Sequence, residues 1–588
     1  MIVPMVKVYV AARHRDHERL LEAIRELGVI HLVPADPAQA LTDGPTADAI
    51  QALQRAQQVL YGIEPQGDRP ELPAVEAARD VLNVERHLVE QGNRLALLHH
   101  ELEQLDLWGN VRLQQIEALR QAGIEVEFYA VEARAFPSVR ADCVAEVGEL
   151  PNGRIVVAVA VRDGRLELPE GAAALPLPPR DAPSIRAEAA QIDATLKAGH
   201  RHLAELAHLA PEMHAELSRQ EQQAEFIRAQ RGGIASDRLF AVQGWLPAEQ
   251  AAALPEALAQ RNLPAAVHWM EPADDEQPPT LIRSPAWARP VEGLFRILGT
   301  VAGYREFDVS VPFLIALPIF TAILISDGGY GAVLLLGLTL GYRRAAALLG
   351  KHFTQLLIIV SIATLLWGGV CATFFGVTLY SPLIAIDLSE SSRTFMMRLC
   401  FWMGAVHLSI AQLWPAVGLF PDLRFLNRVG WAVFIWGMLG VVQMFVLRTP
   451  MGWETPWPYL LLSGAALAIV FSQPSWNVGK MLLLGLANFP LSMLSAFSDV
   501  ISYVRLMAVG LASGVLAASF NNMAGEFGSW PLAVLVLVFG HSLNLGLAMI
   551  AMFAHGVRLN MLEFCNNLGM QWTGYRYRPF SQRTNQEY

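Results

Sequence analysis

Arg505 lies near the middle of a long apolar run, SDVISYVRLMAVGLASGVLAASF, from Ser498 to Phe520. A guanidinium keeps its proton at every physiological pH, so holding one at bilayer depth costs several kcal/mol or more unless an anion meets it there. A plain membrane anchor has no use for such a charge. Two chemistries account for it. Either the arginine faces a mobile carboxylate on an ion pathway, or it is paired permanently with a fixed acid such as Asp499. Intramembrane charges are functional by default, which favours the first.

At helical spacing Ser495, Ser498 or Asp499, Ser502, Arg505 and Ser513 line one side of this run, and Leu, Val, Ile and Met fill the other. On the last apolar run His541, Asn544, His555 and Arg558 share a face, followed by Glu563. Two polar stripes facing each other on tilted helices make a hydrated path through a bilayer. For each serine alone, a hydroxyl bonded back to its own helix is the simpler reading. For His541 or His555 alone, a packing histidine competes evenly with a proton relay. Arg505 and Arg558 resist that discount, because each charge must be neutralised or hydrated. An unbroken stripe would leak protons, and a fixed cation at its midpoint stops the leak. The chemistry then needs an outside partner that carries carboxylates past the arginine one at a time. Such a carboxylate is protonated in lipid and gives up its ion beside Arg505, where its pKa is pulled down. With two offset half-channels, one open to each face, ion flow and movement of the partner become a single event.

The elements that must position these residues fall into two parts. The 588 residues are 53% hydrophobic, but the first half alternates charge with Leu and Ala while the second holds long stretches almost free of charge. A soluble part followed by a membrane part is expected, in an α-helical membrane protein. Eight candidate spans lie near 310 to 327, 329 to 342, 354 to 376, 398 to 418, 429 to 447, 457 to 473, 482 to 519 and 531 to 563, each judged against the roughly 20 residues that cross a bilayer. The first two meet at Asp327-Gly328-Gly329-Tyr330-Gly331, which reads as a tight turn. The last two are long enough to imply steep tilt or projection beyond the bilayer. Arg343, Arg344 and Lys351, then Arg424 and Arg428, then Lys480, then Arg576, Arg578 and Arg583 fall in alternate connections and the tail, which assigns those to the cytoplasm. An even number of spans returns the C-terminus to the side of the soluble part.

In that soluble part, MVKVYVA at Met5 to Ala11 alternates like a strand, RDHERLLEAIRELG is an amphipathic helix ending at Gly28, and VIHLVP is a second strand, giving a βαβ-like opening. A heptad run follows at Val81, Val84, Leu88, Leu95, Leu98, Leu102 and Leu105. After a mixed segment, GIEVEFYAVEA to RIVVAVAV, a second run occupies Ile185, Ala189, Ile192, Leu196, Leu203, Leu206, Met213 and Leu217. The two runs can form an antiparallel coiled-coil hairpin with the mixed segment capping its far end, the alternative being two unrelated amphipathic helices packed on a globular core. Residues 1–295 are thus expected as a cytoplasmic arm, with small α/β lobes near 1–45, 124–170 and 238–272 and coiled-coil helices near 46–120 and 185–235. The proline-rich Pro272 to Trp287 leads into a membrane domain over 296–588 with a cytoplasmic tail.

Several function classes are excluded or demoted. A formal charge of -10 and the lack of any basic stripe argue against nucleic acid as a partner. Cys143, Cys371, Cys400 and Cys565 are too scattered for a disulfide framework or a zinc site, so no metal and no cofactor is expected. No GxxxxGK[ST] occurs, and Gly350-Lys351 is followed by His352, so no nucleotide site is expected within this chain. The N-terminus lacks the pattern of a signal peptide.

DVISYVRLMAVGLASGVLA, the block FAHGVRLNMLEFCNNLGMQWTGYRYRPF, the turn SDGGYG, and FAVQGWLPAEQ with EQPPTLIRSP closely resemble the a-subunit family of V-type and archaeal-type ATPases, called subunit I in prokaryotes. The resemblance spans essentially the whole chain. It implies a two-lobed cytoplasmic arm linked by a coiled coil, joined to an eight-helix membrane domain beside a rotor ring of proteolipid c/K subunits. Its implied partners also include E/G-type peripheral stalks, a central-stalk subunit, the soluble A/B motor indirectly, and membrane lipid. Arg505 falls on the family's essential arginine and Arg558 on its second intramembrane arginine. Two positions depart from the eukaryotic branch. Ala548 stands where that branch has a channel glutamate, and Ser513 where it has a histidine, so outer half-channel polarity is expected from His541 and Asn544. A multi-pass protein of a bacterial inner membrane, with both termini cytoplasmic, is the implied setting. The rivals are a secondary ion transporter with a regulatory arm and a membrane scaffold. No inverted repeat supports the first, and the second leaves Arg505 without a purpose.

Overall fold

A computed structural model describes residues 1–36, 38, 41–105, 108, 111–150, 153–162, 166–472 and 478–582. Arg583, the side chain of Lys480, and short pieces of the expected lobes, the first coiled-coil range and the 457 to 473 span lie outside the described residues.

The strands are β1 Met5–Arg13, β2 His31–Val33, β3 Glu125–Glu132, β4 Cys143–Glu149, β5 Arg154–Val161, β6 Ala173–Ala174, β7 Ile234–Ala235, β8 Leu239–Pro247 and β9 Ala266–Met270. They make two sheets in the arm. The first runs β2-β8-β1-β9 with β7 also on β8, and the second runs β4-β5-β3-β6. The lobes expected near 1–45 and 238–272 are therefore one body, because β8 inserts between β1 and β2 and pairs antiparallel with both. The βαβ opening is split by a strand from more than 200 residues downstream. Val6, Val8, Val10 and Ala12 of β1 point inward onto Leu20, Leu21 and Ile24 of the His17–Leu27 helix. That helix stops at Gly28, whose φ of 60° is a left-handed cap that costs glycine nothing.

Between the lobes run the helices Gly44–Leu60, Ala74–Gln104, Ala182–Leu206 and Ala210–Arg231. The second and third lie side by side in opposite directions. His202 Nε2 reaches Asp80 at 2.9 Å, and Arg94 Nη2 reaches Glu188 at 2.8 Å. Between these pairs, a Cβ on Gly199 would come within 2.6 Å of Leu88. The heptad residues do meet: Val81, Leu203, Leu206, Met213 and Leu217 share one core, and Leu98, Leu105, Ile185 and Ile192 share another with Phe128 and Val156 of the far sheet. The first heptad run ends near the second lobe, so the seam is closed there by strands.

The second half is helical. Five helices among the described residues are long and apolar enough to cross a membrane: Lys351–Cys371, Glu390–Leu419, Arg424–Leu447, Gly485–Glu526 and Trp530–Leu568. The pair Gly328–Leu340 and Tyr342–Leu349 passes only jointly and is bent by 88°, while Ser310–Ile325 and Trp457–Val470 are shorter apolar helices. Arg343 and Arg344 thus ride on a bent helical segment and not in a loop. Nor is the Asp327 to Gly331 stretch a simple turn. Asp327 caps the Gly328–Leu340 helix, accepting from Gly329 N at 2.8 Å. Its glycines permit close packing, since a Cβ on Gly331 would meet the Leu365 amide at 2.6 Å.

The tail after the last helix folds back over the first lobe. Phe580 is buried in that lobe's core, its amide donating to the Ile30 carbonyl at 2.8 Å, and the Arg578 amide donates to His31 Nδ1 at 3.0 Å. Burial holds His31 below its ordinary value of 6.5, against the smaller raising effect of its backbone partner Arg578. The docked tail keeps His31 neutral, so this contribution is present above pH 6.5 and is lost as pH falls through the depressed value. Acidification should therefore speed amide exchange over Tyr577 to Phe580, and His31→Asn, which retains an acceptor, should flatten that dependence. Exchange that ignores pH beyond its chemical rate would refute the coupling.

Candidate functional site

The long polar-striped run crosses as one span, Gly485–Glu526, with its helical bonding interrupted for one residue at Tyr503, between Val478–Ser502 and Val504–Glu526. Tyr503 is fully buried, and its hydroxyl is 2.8 Å from His407 Nδ1. The ring lies against Gly404, where a Cβ would stand 2.6 Å from it. This interruption sets Arg505 in the first turn of Val504–Glu526. Its Nε donates to the Ser502 carbonyl at 3.2 Å, and Nη2 donates both to Ser502 Oγ and, at 3.3 Å, to Glu563 Oε1. The side chain remains 30% exposed, against 6% for Glu563.

Glu563 comes from the last long helix, which widens into π turns at Met552–Val557 and Leu559–Phe564. Residues five apart on an α-helix diverge by about 140° around the axis. A π turn bonds i to i+5 and returns them to one side. Arg558 Nε accordingly lies 3.8 Å from the same Glu563 Oε1. Ser502 Oγ donates to that oxygen at 2.5 Å. Glu563 Oε2 is buried and has no hydrogen-bond partner among the described residues.

The acid that meets Arg505 is thus Glu563 and not Asp499, the alternative suggested by proximity in sequence. Asp499 instead accepts from Asn567 at 2.8 Å, and Asn567 in turn accepts from Gln412 at 2.9 Å. Arg428 closes this cluster, donating to Gln412 Oε1 at 3.1 Å and to the Asn567 carbonyl at 2.9 Å. It is a half-buried structural cation as well as one of the charges that set the expected orientation.

A separate polar cluster lies further along. Ser513 Oγ donates to Asn544 Oδ1 at 3.2 Å, and Asn544 Nδ2 donates to the Tyr330 hydroxyl at 2.9 Å. That hydroxyl is 2.8 Å from His541 Nδ1, and His541 Nε2 is 3.1 Å from Asn521 Oδ1. Tyr330 and Asn521 escaped the sequence reading, although a hydroxyl in SDGGYG beside an apolar run was the available signal. His555 does not join His541 here, and its buried Nδ1 has no hydrogen-bond partner among the described residues. The serine stripe also divides: Ser495 and Ser498 are exposed, while Ser502 and Ser513 are buried. Eight residues of helix separate Arg505 from Ser513, about 12 Å at 1.5 Å per residue. The arginine therefore stands between two polar clusters with its side chain still 30% exposed.

No protein-family profile matches the chain. It is similar to the V-type ATP synthase subunit I 1 of Treponema pallidum, with 30% identity over 99% of this chain and 100% of that one. V-type ATP synthase subunit I of Borreliella burgdorferi is 26% identical over 99% of this chain and 100% of its own length. An A-type ATP synthase subunit I from Methanothermobacter thermautotrophicus is 24% identical over 55% of this chain and 49% of its own. Among solved structures, the cytoplasmic N-terminal domain of a V-ATPase subunit I, homolog of subunit a, aligns over 45% of this chain at 18% identity and a TM-score of 0.19, too low to speak to the fold.

Proposed function

Because the chain belongs to the subunit I family of V-type and A-type ATP synthases, we propose that it is the membrane stator of a rotary ATPase, forming two ion half-channels against a rotor ring. The observation that carries this reading is Arg505, a permanent cation that stays partly exposed and lies between two polar clusters. A rotor carboxylate is neutral in lipid, is deprotonated when it reaches this guanidinium, and takes up an ion again from the next half-channel. Tyr330, His541, Asn544 and Ser513 with Asn521 form the outer half-channel. Asp499, Asn567 and Glu563 border the inner one, with Ser495 and Ser498 on its exposed approach. The transported ion is a proton or sodium, chosen by the rotor's own carboxylate site. The arm is a torque-bearing strut: its antiparallel helices hold two lobes apart, and the lobes seat peripheral stalks and the central stalk. The protein acts in a bacterial inner membrane with both termini cytoplasmic, and its nucleotide chemistry belongs to other subunits.

Purification of the native complex tests the assignment, since rotor and nucleotide-binding subunits should accompany this chain and ATP should drive ion uptake into reconstituted vesicles. A chain that purifies alone and transports an ion without ATP or a ring would be a secondary transporter. Within the reading, Arg558→Ala should slow flux by about two- to fivefold, the scale of one partly exposed ion pair, without uncoupling it. Arg558 is 51% exposed and 3.8 Å from a carboxylate that keeps Ser502 and Arg505. Flux from vesicles carrying Arg558→Ala that is as absent at every pH as with Arg505→Ala would end this division of labour.

A further inference from the structure

Glu563 accepts two hydrogen bonds on one oxygen, with a second arginine nearby, and the three groups are not held equally. Ser502 Oγ is closest at 2.5 Å, Arg505 Nη2 stands at 3.3 Å, and Arg558 Nε at 3.8 Å. A tight guanidinium to carboxylate hydrogen bond measures about 2.7–2.9 Å. Arg505 is therefore only loosely paired with Glu563 itself and is held chiefly by Ser502, whose hydroxyl also fixes the carboxylate in place. The other oxygen, Oε2, is buried with no hydrogen-bond partner among the described residues. A buried carboxylate with a spare acceptor and a second arginine just out of reach can lose one cation and gain another without being stranded.

We propose that Glu563 is a positioning residue that competes with the rotor for Arg505. The inference rests on the reading that Arg505 faces a rotor carboxylate. Between rotor carboxylates, Arg505 stays on Glu563 and is never left unpaired in a low-dielectric setting. When a rotor carboxylate arrives, Arg505 swings to it, and Arg558 closes on Glu563 in its place. The hold on the rotor is then the difference between two ion pairs, which keeps it weak enough for the ring to advance. A single unopposed pair at this depth would be a trap, since release would cost the full pairing energy.

The test uses the reconstituted complex with Glu563→Gln, which keeps the shape and removes the charge. Without its competitor Arg505 should grip the rotor longer, so ATP hydrolysis and ion pumping should fall together by roughly tenfold with the ions moved per ATP unchanged. The sharper arm adds Glu563→Gln to Arg505→Lys. A lysine left on Ser502 and Glu563 is a poor rotor partner, and removing Glu563 should free it and restore part of the lost flux. Glu563→Asp should lie between wild type and Gln in the single variants. If the Gln variant does not assemble, Glu563→Asp takes its place in the Arg505→Lys background, where pulling the carboxylate back should again restore flux. Wild-type rates in Glu563→Gln, hydrolysis that continues without pumping, or no gain in the double variant would each overturn the competition. Those outcomes differ from failure of the rotary reading itself, which would appear as normal pumping by Arg505→Ala.

Discussion

An Arg505→Ala complex should assemble with its rotor and motor subunits yet carry no coupled ion flux. Assembly survives because Tyr503 packed on Gly404 and His407 anchors the helix at this point, although the Ser502 carbonyl loses the Arg505 Nε it accepts from. Glu563 would keep the Ser502 hydroxyl and the nearby Arg558, so it is not stranded as an unpaired buried charge. Flux is lost because no other described cation stands in the first turn after Tyr503. Arg505→Lys should also transport poorly. A guanidinium can bond Ser502 with one edge and a carboxylate with another, whereas an ammonium is a point charge without that fork. ATP-driven acidification of vesicles, with rotor content checked in the same preparation, decides the matter. Ordinary pumping by the alanine variant would sink the gate.

Replacing Leu98 and Leu102 together by Asp should detach the soluble motor from membranes that still contain this chain. Leu98 is 1% exposed in a core shared with Ile185, Ile192 and Phe128, and Leu102 packs at its margin. Truncating one buried leucine alone costs about 2–5 kcal/mol, and an unpaired carboxylate in its place adds desolvation. The loss falls where the helix pair meets the second sheet, so the far lobe should lose its seat while the membrane helices keep theirs. Co-purification of motor subunits with washed membranes measures it. Unchanged recovery would mean that the seam bears no load.

Much of the arm and of the membrane part was legible because local periodicity encodes it. Alternation marks β1, the heptads mark the facing sides of Ala74–Gln104 and Ala182–Leu206, and apolar length marks most of the membrane helices. Arg505 stood out for a similar reason: a charge that cannot be discharged in an apolar run is anomalous in any fold. Long-range partnership is another matter. Residue types alone do not bring β8 between β1 and β2, because strand pairing is settled by which edges remain free after collapse. The choice of Glu563 over Asp499 likewise rests on tertiary structure. Asp499 is nearer in sequence, yet its helix turns it toward Asn567, while π turns absent from any 3.6-residue pattern rotate Glu563 and Arg558 together. Tyr330 reaches His541 and Asn544 across more than 200 residues of chain, a meeting that only the packing of helices brings about. The sequence by itself determined that a permanent cation must be answered within the membrane. Only the packed helices decided which acid answers it, because that depends on backbone rotation and close approach across the bundle, and neither is written in the spacing of residues along one helix.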